Sequence, residues 1–172
     1  MKELILGLDP GSRHTGFGVI AVNGDHLEHV GSGVIHLKEA WSLHERLRVL
    51  YLELQQIFAK FTVQAASVEK IFFGKNADSA FKLGHARGVC LLVAAQHGAV
   101  VEEYAARYVK KCVTGSGAAD KTQVQQMIFS LLKMKSKDLP FDATDALSLA
   151  VTHARVRDVN MRLKKMMIED SL

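Results

Sequence analysis

The sequence predicts an α/β domain: a mixed five-stranded sheet flanked by helices. The chain opens with three apolar or alternating segments separated by tight-turn residues, which is the pattern of an antiparallel ribbon. From residue 65 onward, short apolar runs alternate with stretches of helical periodicity, as in parallel strands joined by crossover helices. The length of 172 residues leaves room for one domain of about 150 residues and little more. Hydrophobic residues make up 48% and charged residues 23%, a composition that supports a packed core and excludes a disordered chain.

The elements follow in order. Leu4 to Leu8 is a buried strand closed by Asp9, Pro10 and Gly11, so Asp9 stands at a strand end. Gly16 to Val22 is the second strand, Asn23-Gly24 signals a hairpin, and Val30 to Leu37 alternates as the third. From Ser42, the positions Leu43, Leu47, Leu50, Leu54, Ile57, Phe58 and Phe61 recur at three and four, predicting an amphipathic helix. Ala65 to Val68 is a short buried strand ending at Glu69. Asn76 to Gln96 is helical, although Gly84 and Gly88 each lower its propensity by about 1 kcal/mol and suggest close packing there. A fifth strand is expected over Ala99 to Glu102, a short helix over Tyr104 to Cys112, a flexible glycine loop over 115–119, and a helix over Thr122 to Lys133. The last helix follows Pro140, from Asp142 to about Arg157. Residues 1–157 form the expected domain, and 158–172 a charged tail that either continues the helix or frays. This element order is that of the ribonuclease H-like fold.

Lys and Arg number 22 against 18 Asp and Glu, a mild basic excess that permits a polyanionic partner without requiring one. Cys90 and Cys112 have no CxxC spacing, which argues against a disulfide framework or a zinc site. The apolar run of MKELILGLDPG is too short for a signal segment or for the about 20 residues of a membrane span. A cytoplasmic setting is expected.

Four carboxylates stand out: Asp9 and Glu69 at two strand ends, and Asp142 and Asp145 at the start of the last helix, where i to i+3 spacing gives them one face. If the first and fourth strands are parallel neighbours, Asp9 and Glu69 leave the same sheet edge, and a helix start laid there gathers all four. Such a cluster is costly without a cation, and hard oxygen donors suit Mg²⁺ or Mn²⁺ better than zinc. Two such ions activate water and stabilise the leaving oxygen of a phosphodiester. Singly, Asp142 also suits a helix N-cap, Asp145 a first-turn charge and Asp9 a turn former. Glu69, directly after Ala-Ala-Ser-Val, is expected to be half-buried and in need of a partner.

Lys70, Lys75, Lys82, Arg87, Arg107, Lys110, Lys111 and Lys121 meet only Asp78, Glu102, Glu103 and Asp120 between residues 70 and 121. A positive rim around an acidic centre draws a phosphate backbone over metal ions. Phe72 and Phe73 follow a strand end, where one could stack on a base and one pack. His26, His29, His36 and His44 fall on separate elements without ligand spacing, and His153 lies two turns beyond Asp145. GLDPGSRHTGFGVI has some likeness to the phosphate loop of actin-like ATPases, but those need a second domain that the length excludes.

The segments GLDPGSRHTGFGVI, VEKIFFGKNADSAFKLGHARGV, EYAARYVKKCVTGSGAADKTQVQ and DATDALSLAVTH closely resemble the bacterial RuvC family of Holliday-junction resolvases, in order, from about residue 3 to residue 155. The resemblance implies a ribonuclease H-like homodimer that cuts two opposed strands of a four-way DNA junction with Mg²⁺ or Mn²⁺, two ions per site. It implies catalytic carboxylates at Asp9, Glu69, Asp142 and Asp145, basic residues near the scissile phosphate at Lys110 and Lys121, and base stacking by Phe72. Lys70, Lys75, Lys82, Arg87 and Lys111 are the further DNA contacts expected from the basic rim. Lys70 stands where other members often carry Gln. Family members work with the RuvA and RuvB branch-migration proteins, for which the chain shows no motif. A pre-ribosomal RNA nuclease and a noncatalytic junction binder are the competing readings; KNADSA speaks against the first, and four acids beside phosphate against the second.

Overall fold

The computed structural model describes residues 2–70, 77–135 and 138–169. In chain order its elements are β1 (Glu3–Asp9), β2 (His14–Asn23), β3 (His26–His36), α1 (Leu43–Lys60), β4 (Ala65–Glu69), α2 (Ala77–Gln96), β5 (Val100–Tyr104), α3 (Ala106–Thr114), α4 (Lys121–Leu131) and α5 (Phe141–Glu169). The strands form one mixed sheet in the order β3-β2-β1-β4-β5. β1, β2 and β3 pair antiparallel, while β4 runs parallel to both β1 and β5.

Alternation along the strands divides the core in two. Leu6, Leu8, Val19, Ala66 and Val68 face a cluster completed by Leu50, Leu54 and Phe58 of α1 and Cys90, Val93 and Ala94 of α2. Ile5, Ile20 and Ala65 face the other way, onto Val109 and Val113 of α3, Val124 and Ile128 of α4, and Leu147, Ala150 and Val151 of α5. Helices therefore cover both faces, as the apolar runs of β1 and β4 require.

Several boundaries differ from expectation for identifiable reasons. The two-residue hairpin loop is Gly24-Asp25, with Asn23 paired to His26 and Gly24 at φ 58; the left-handed position falls on the glycine and not on Asn23. β3 begins four residues earlier than its apolar stretch, because His26, Glu28 and His29 are polar yet paired with β2. Tyr104, expected to open a helix, closes β5 opposite Glu69. α4 starts at Lys121 because Asp120 and Gln123 form a reciprocal capping box there. The glycine loop expected to be flexible is bonded: Gly115, at φ 83, donates its N–H to Lys111 O (2.9 Å), and Thr114 Oγ1 donates to Ser116 O (3.0 Å). α5 is a single helix of 29 residues through Glu169, and the expected helix of about residues 142–157 is its first half.

α5 lies on a strip of the sheet built from glycines. An added Cβ on Gly7 of β1 would stand 1.8 Å from Ala146 O, and one on Gly16 of β2 would stand 2.0 Å from Asp142 O. A Cβ on Gly18 would meet the Leu147 side chain at 2.7 Å. The helix backbone thus rests on the strand backbone, with Ala143, Ala146 and Ala150 as its small contact residues, all fully buried. Gly7→Ala should cost about 1–3 kcal/mol or more, because neither backbone can retreat. Urea unfolding is the check, and a wild-type midpoint would refute the close seat.

Candidate active site

Parallel pairing of β1 with β4, in which Leu8 stands opposite Val68, brings Asp9 and Glu69 out at the same sheet edge. Their carboxyl groups hydrogen-bond to each other. Phe141 is the first residue of α5, so Asp142 and Asp145 occupy its first turns, and the glycine strip below holds that end of the helix against Asp9. Asp9, Glu69 and Asp145 line one cavity of about 310 Å³, together with Lys110, Lys121, Ala106, Val109, Val124 and Leu149.

Asp142 is placed differently from the expected four-acid cluster. It is half-buried and off the cavity wall, with its backbone carbonyl turned over Gly16. Lying inside the first turn, it is not the N-cap. Its charge still acts on Asp9.

The electrostatics are strained in one direction. Burial, then the Glu69 charge and hydrogen bond, then Asp145 and Asp142, push the Asp9 carboxyl up to about 8. The Asp145 carboxyl also sits above its ordinary value, because burial outweighs the help of Lys121. Lys121 Nζ lies 3.2 Å from Asp145 Oδ2 and its ammonium is held above its usual value, chiefly by that charge. Lys110 reaches the same cavity from α3 and donates from Nζ to Ala119 O (2.8 Å), tying α3 to the start of α4.

Among the described residues, no three His, Cys, Asp or Glu side chains converge closely enough to cage an ion as they stand; Asp145 is turned toward Lys121. The donor set nevertheless fits a hard divalent cation. It offers oxygen ligands only, and an Asp9 carboxyl raised by its own neighbours marks a negative-charge excess that a cation would relieve.

The rest of the expected rim is dispersed. Lys70 is exposed beside the site, directly after Glu69, and its backbone N–H bonds to Tyr104 O (2.9 Å). Lys111 is exposed on α3 and does not line the cavity. Lys82 and Arg87 lie on α2, across the sheet from α3 and α5, and Arg87 forms an ion pair with Glu103. Phe72 and Lys75 lie outside the described residues. His153 is buried away from the cavity, with Nδ1 2.9 Å from Tyr104 Oη.

Three positioning features escaped the sequence reading. Gly7, Gly16 and Gly18 seat α5. Their signal was present, since a glycine inside an apolar strand marks close backbone approach. Gln125 clamps α4 to the start of α5, with Nε2 donating to Leu139 O (2.9 Å) and Thr144 Oγ1 (3.1 Å). Phe141 is 42% exposed at the head of α5, its ring centroid 5.9 Å from Lys121 Nζ.

Known proteins are similar to this chain in sequence and fold. The family model described as crossover junction endodeoxyribonuclease RuvC matches residues 5–153. The crossover junction endodeoxyribonuclease RuvC of Aliivibrio fischeri strain MJ11 is 48% identical over 152 residues, 88% of this chain and 87% of its own. The structure of T. thermophilus RuvC in complex with a Holliday junction substrate superposes with a TM-score of 0.86 at 30% identity, covering 92% of this chain and 96% of that one. The yeast mitochondrial Holliday junction resolvase Ydc2, at 11% identity and a TM-score of 0.71 over 98% of this chain and 86% of its own, shares the fold. With its strand-end acids, its helix-borne Asp145 and a match over nearly the whole sheet and its helices, the chain belongs to the RuvC family of crossover junction endodeoxyribonucleases.

Proposed function

We propose that the protein resolves four-way DNA junctions by hydrolysing phosphodiesters at the Asp9–Glu69–Asp145 cavity, in recombination and repair. The observation that carries this reading is the convergence of three acids and two lysines from five separate elements on one opening. Mg²⁺ or Mn²⁺ would be held by Asp9 and Glu69 with Asp145 and Asp142. When bound, such ions supply an activated water and charge stabilisation for the departing oxygen. Lys121 and Lys110 bring positive charge to a phosphate entering over the acids, and Lys70 and Lys111 extend that field outward. Phe72 as a stacking residue and Lys75, Lys82 and Arg87 as further DNA contacts rest on the resemblance and the sequence. A partnership with the RuvA and RuvB branch-migration proteins rests on the resemblance alone.

Two symmetric cuts need two sites, and each chain carries one. The outer face of α2 suits a two-fold contact: exposed Phe81 (68%) and Leu92 (53%) flank Gly84 and Gly88, where an added Cβ would meet nothing within 4 Å. Ala86, also small and two residues from each glycine, faces the core at 1% exposure and takes no part in this stripe. An isologous pairing of α2 with its copy would cover this stripe.

Three outcomes test the reading. Asp9→Asn, Glu69→Gln and Asp145→Asn should each lower cutting of a synthetic four-way junction at least about a hundredfold while junction binding in EDTA holds or rises. Neutralising an acid removes both a ligand and a repulsion. A folded variant that no longer binds the junction contradicts the role given to that residue. Duplex and RNA hairpin controls, with Mg²⁺, Mn²⁺ or EDTA, separate junction resolution from general nuclease activity.

The second outcome concerns pH. Asp9 titrates near 8 when folded and near 3.8 when unfolded. Between those values the native state holds a proton that the unfolded chain has released, so in EDTA stability falls as pH rises across the window. Asp9→Asn should flatten that slope, and Mg²⁺ should stabilise the wild type increasingly as pH rises through about 8, because a ligand must shed its proton to bind. Thermal melts from about pH 5 to 9 report both.

Third, Gly84→Trp should leave a folded monomer that binds junctions weakly and nicks single strands without paired resolution. Light scattering showing an unchanged dimer overturns the α2 interface.

A further inference from the structure

We propose that Phe141 is a positioning residue for the cutting reaction, its ring confining the Lys121 ammonium at the mouth of the acidic cavity. The inference rests on the reading of Lys121 as a charge delivered to the phosphate, and adds what delivers it.

Lys121 is the first residue of α4 and its side chain is 60% exposed, so little packing restrains its four-carbon stem. Two groups meet its ammonium: Asp145 Oδ2 at 3.2 Å and the Phe141 ring, with its centroid at 5.9 Å. They lie on successive turns of α5, and Lys121 bridges them from α4. The carboxylate is an uncertain holder, because Asp145 is also one of the acids proposed to bind a divalent ion, and a carboxylate engaged by a stronger cation attracts an ammonium less. The ring face attracts the cation through its quadrupole, which no ligand competes for. An unrestrained lysine must be ordered anew for each phosphate, at the loss of its rotamer freedom.

The frame around Phe141 is built to hold it there. The Gln125 amide, one turn beyond Lys121 on α4, donates to Leu139 O and Thr144 Oγ1. Thr144 in turn closes the first turn of α5 by donating its N–H to Pro140 O (3.1 Å). The backbone on either side of Phe141 is thus fixed to the helix that carries Lys121. A large apolar ring that is 42% exposed at this place contributes little to the core, and its contact with Lys121 gives it a use.

The test is a cycle of Phe141→Leu, Phe141→Tyr, Lys121→Ala and the double variant Phe141→Leu/Lys121→Ala, assayed on a four-way junction under single-turnover and steady-state conditions. Leucine keeps the bulk and removes the ring face. Phe141→Leu should lower kcat about two- to fivefold, the fold-change equivalent to a contact of about 0.5–1 kcal/mol, with KM and junction affinity unchanged. Phe141→Tyr should restore the wild-type rate, and in the Lys121→Ala background Phe141→Leu should have no further effect. In the protein without DNA, the Lys121 Hε protons should show an upfield ring-current displacement in ¹³C-resolved NMR, lost in Phe141→Leu and kept in Phe141→Tyr. Additive effects, a loss confined to affinity, or an unchanged Lys121 signal would overturn the inference, an affinity loss marking Phe141 as a DNA contact instead. A wild-type rate for Phe141→Leu beside a slow Lys121→Ala would overturn it alone. A wild-type rate for Lys121→Ala would overturn the reading of Lys121 and this inference together.

Discussion

The seating of α5 on the backbone of β1 and β2 is the contact on which the site depends. Three glycines remove the side chains that would hold the helix off, leaving Ala146 O and Asp142 O within about 2 Å of where Cβ atoms of Gly7 and Gly16 would be. A helix raised by the usual layer of side chains would stand roughly 10 Å from the sheet, as packed layers do, and Asp145 could not share a cavity with Asp9. The close approach also buries the carboxylates it gathers, and burial is the leading cause of the raised Asp9 and Asp145 carboxyls.

From that contact the remaining elements acquire their roles. β4 pairs beside β1 and supplies the second strand-end acid. α3 and α4 complete the cavity wall with Val109 and Val124 and set two lysines at its rim. The connection between these helices fixes where those lysines stand. Gly115 ends α3 in the left-handed region, Lys110 bonds to Ala119 O, and Asp120 caps α4 so that Lys121 lies in its first turn. Negative charge is thus concentrated on the sheet edge and helix α5, and positive charge on the helices opposite. A polyanion approaching this opening meets the lysines as an attraction and the acids as a demand for a cation.

What the sequence made legible was local. A carboxylate closing an apolar run is visible without any fold, and so is a pair of acids at i and i+3, which is why Asp9, Glu69, Asp142 and Asp145 could be named together. Parallel pairing of β1 with β4 was a condition that the sequence left open, and the structure meets it, placing the first two at one edge. Asp142 shares a helix face with Asp145 yet stands off the cavity wall, since facing the same way along a helix does not mean reaching the same cavity. The ion pair of Arg87 with Glu103 was not legible, because Glu103 sits on another element and composition counts both charges without showing that they meet. Ala86 and Gly84 are both small, yet one packs inward and the other faces outward. Tyr104 and the polar start of β3 show hydrogen bonding in the sheet overriding side-chain pattern.

The glycine strip was visible as residues and invisible as a device, since its meaning lies in a helix more than about a hundred positions away. The same holds for Gln125, whose amide ties α4 to Leu139 and Thr144 at the head of α5. Both features serve to hold acids that repel one another in one place. At such a site local rules give way: buried like charges, a raised carboxyl and backbone packed on backbone would each be a fault in a purely structural core. Removing one of those charges should relieve the fold as it disables the chemistry. The stability that the rest of the sheet contributes is what allows the cluster to persist, so fold strength and catalytic competence are set against each other within the same few residues.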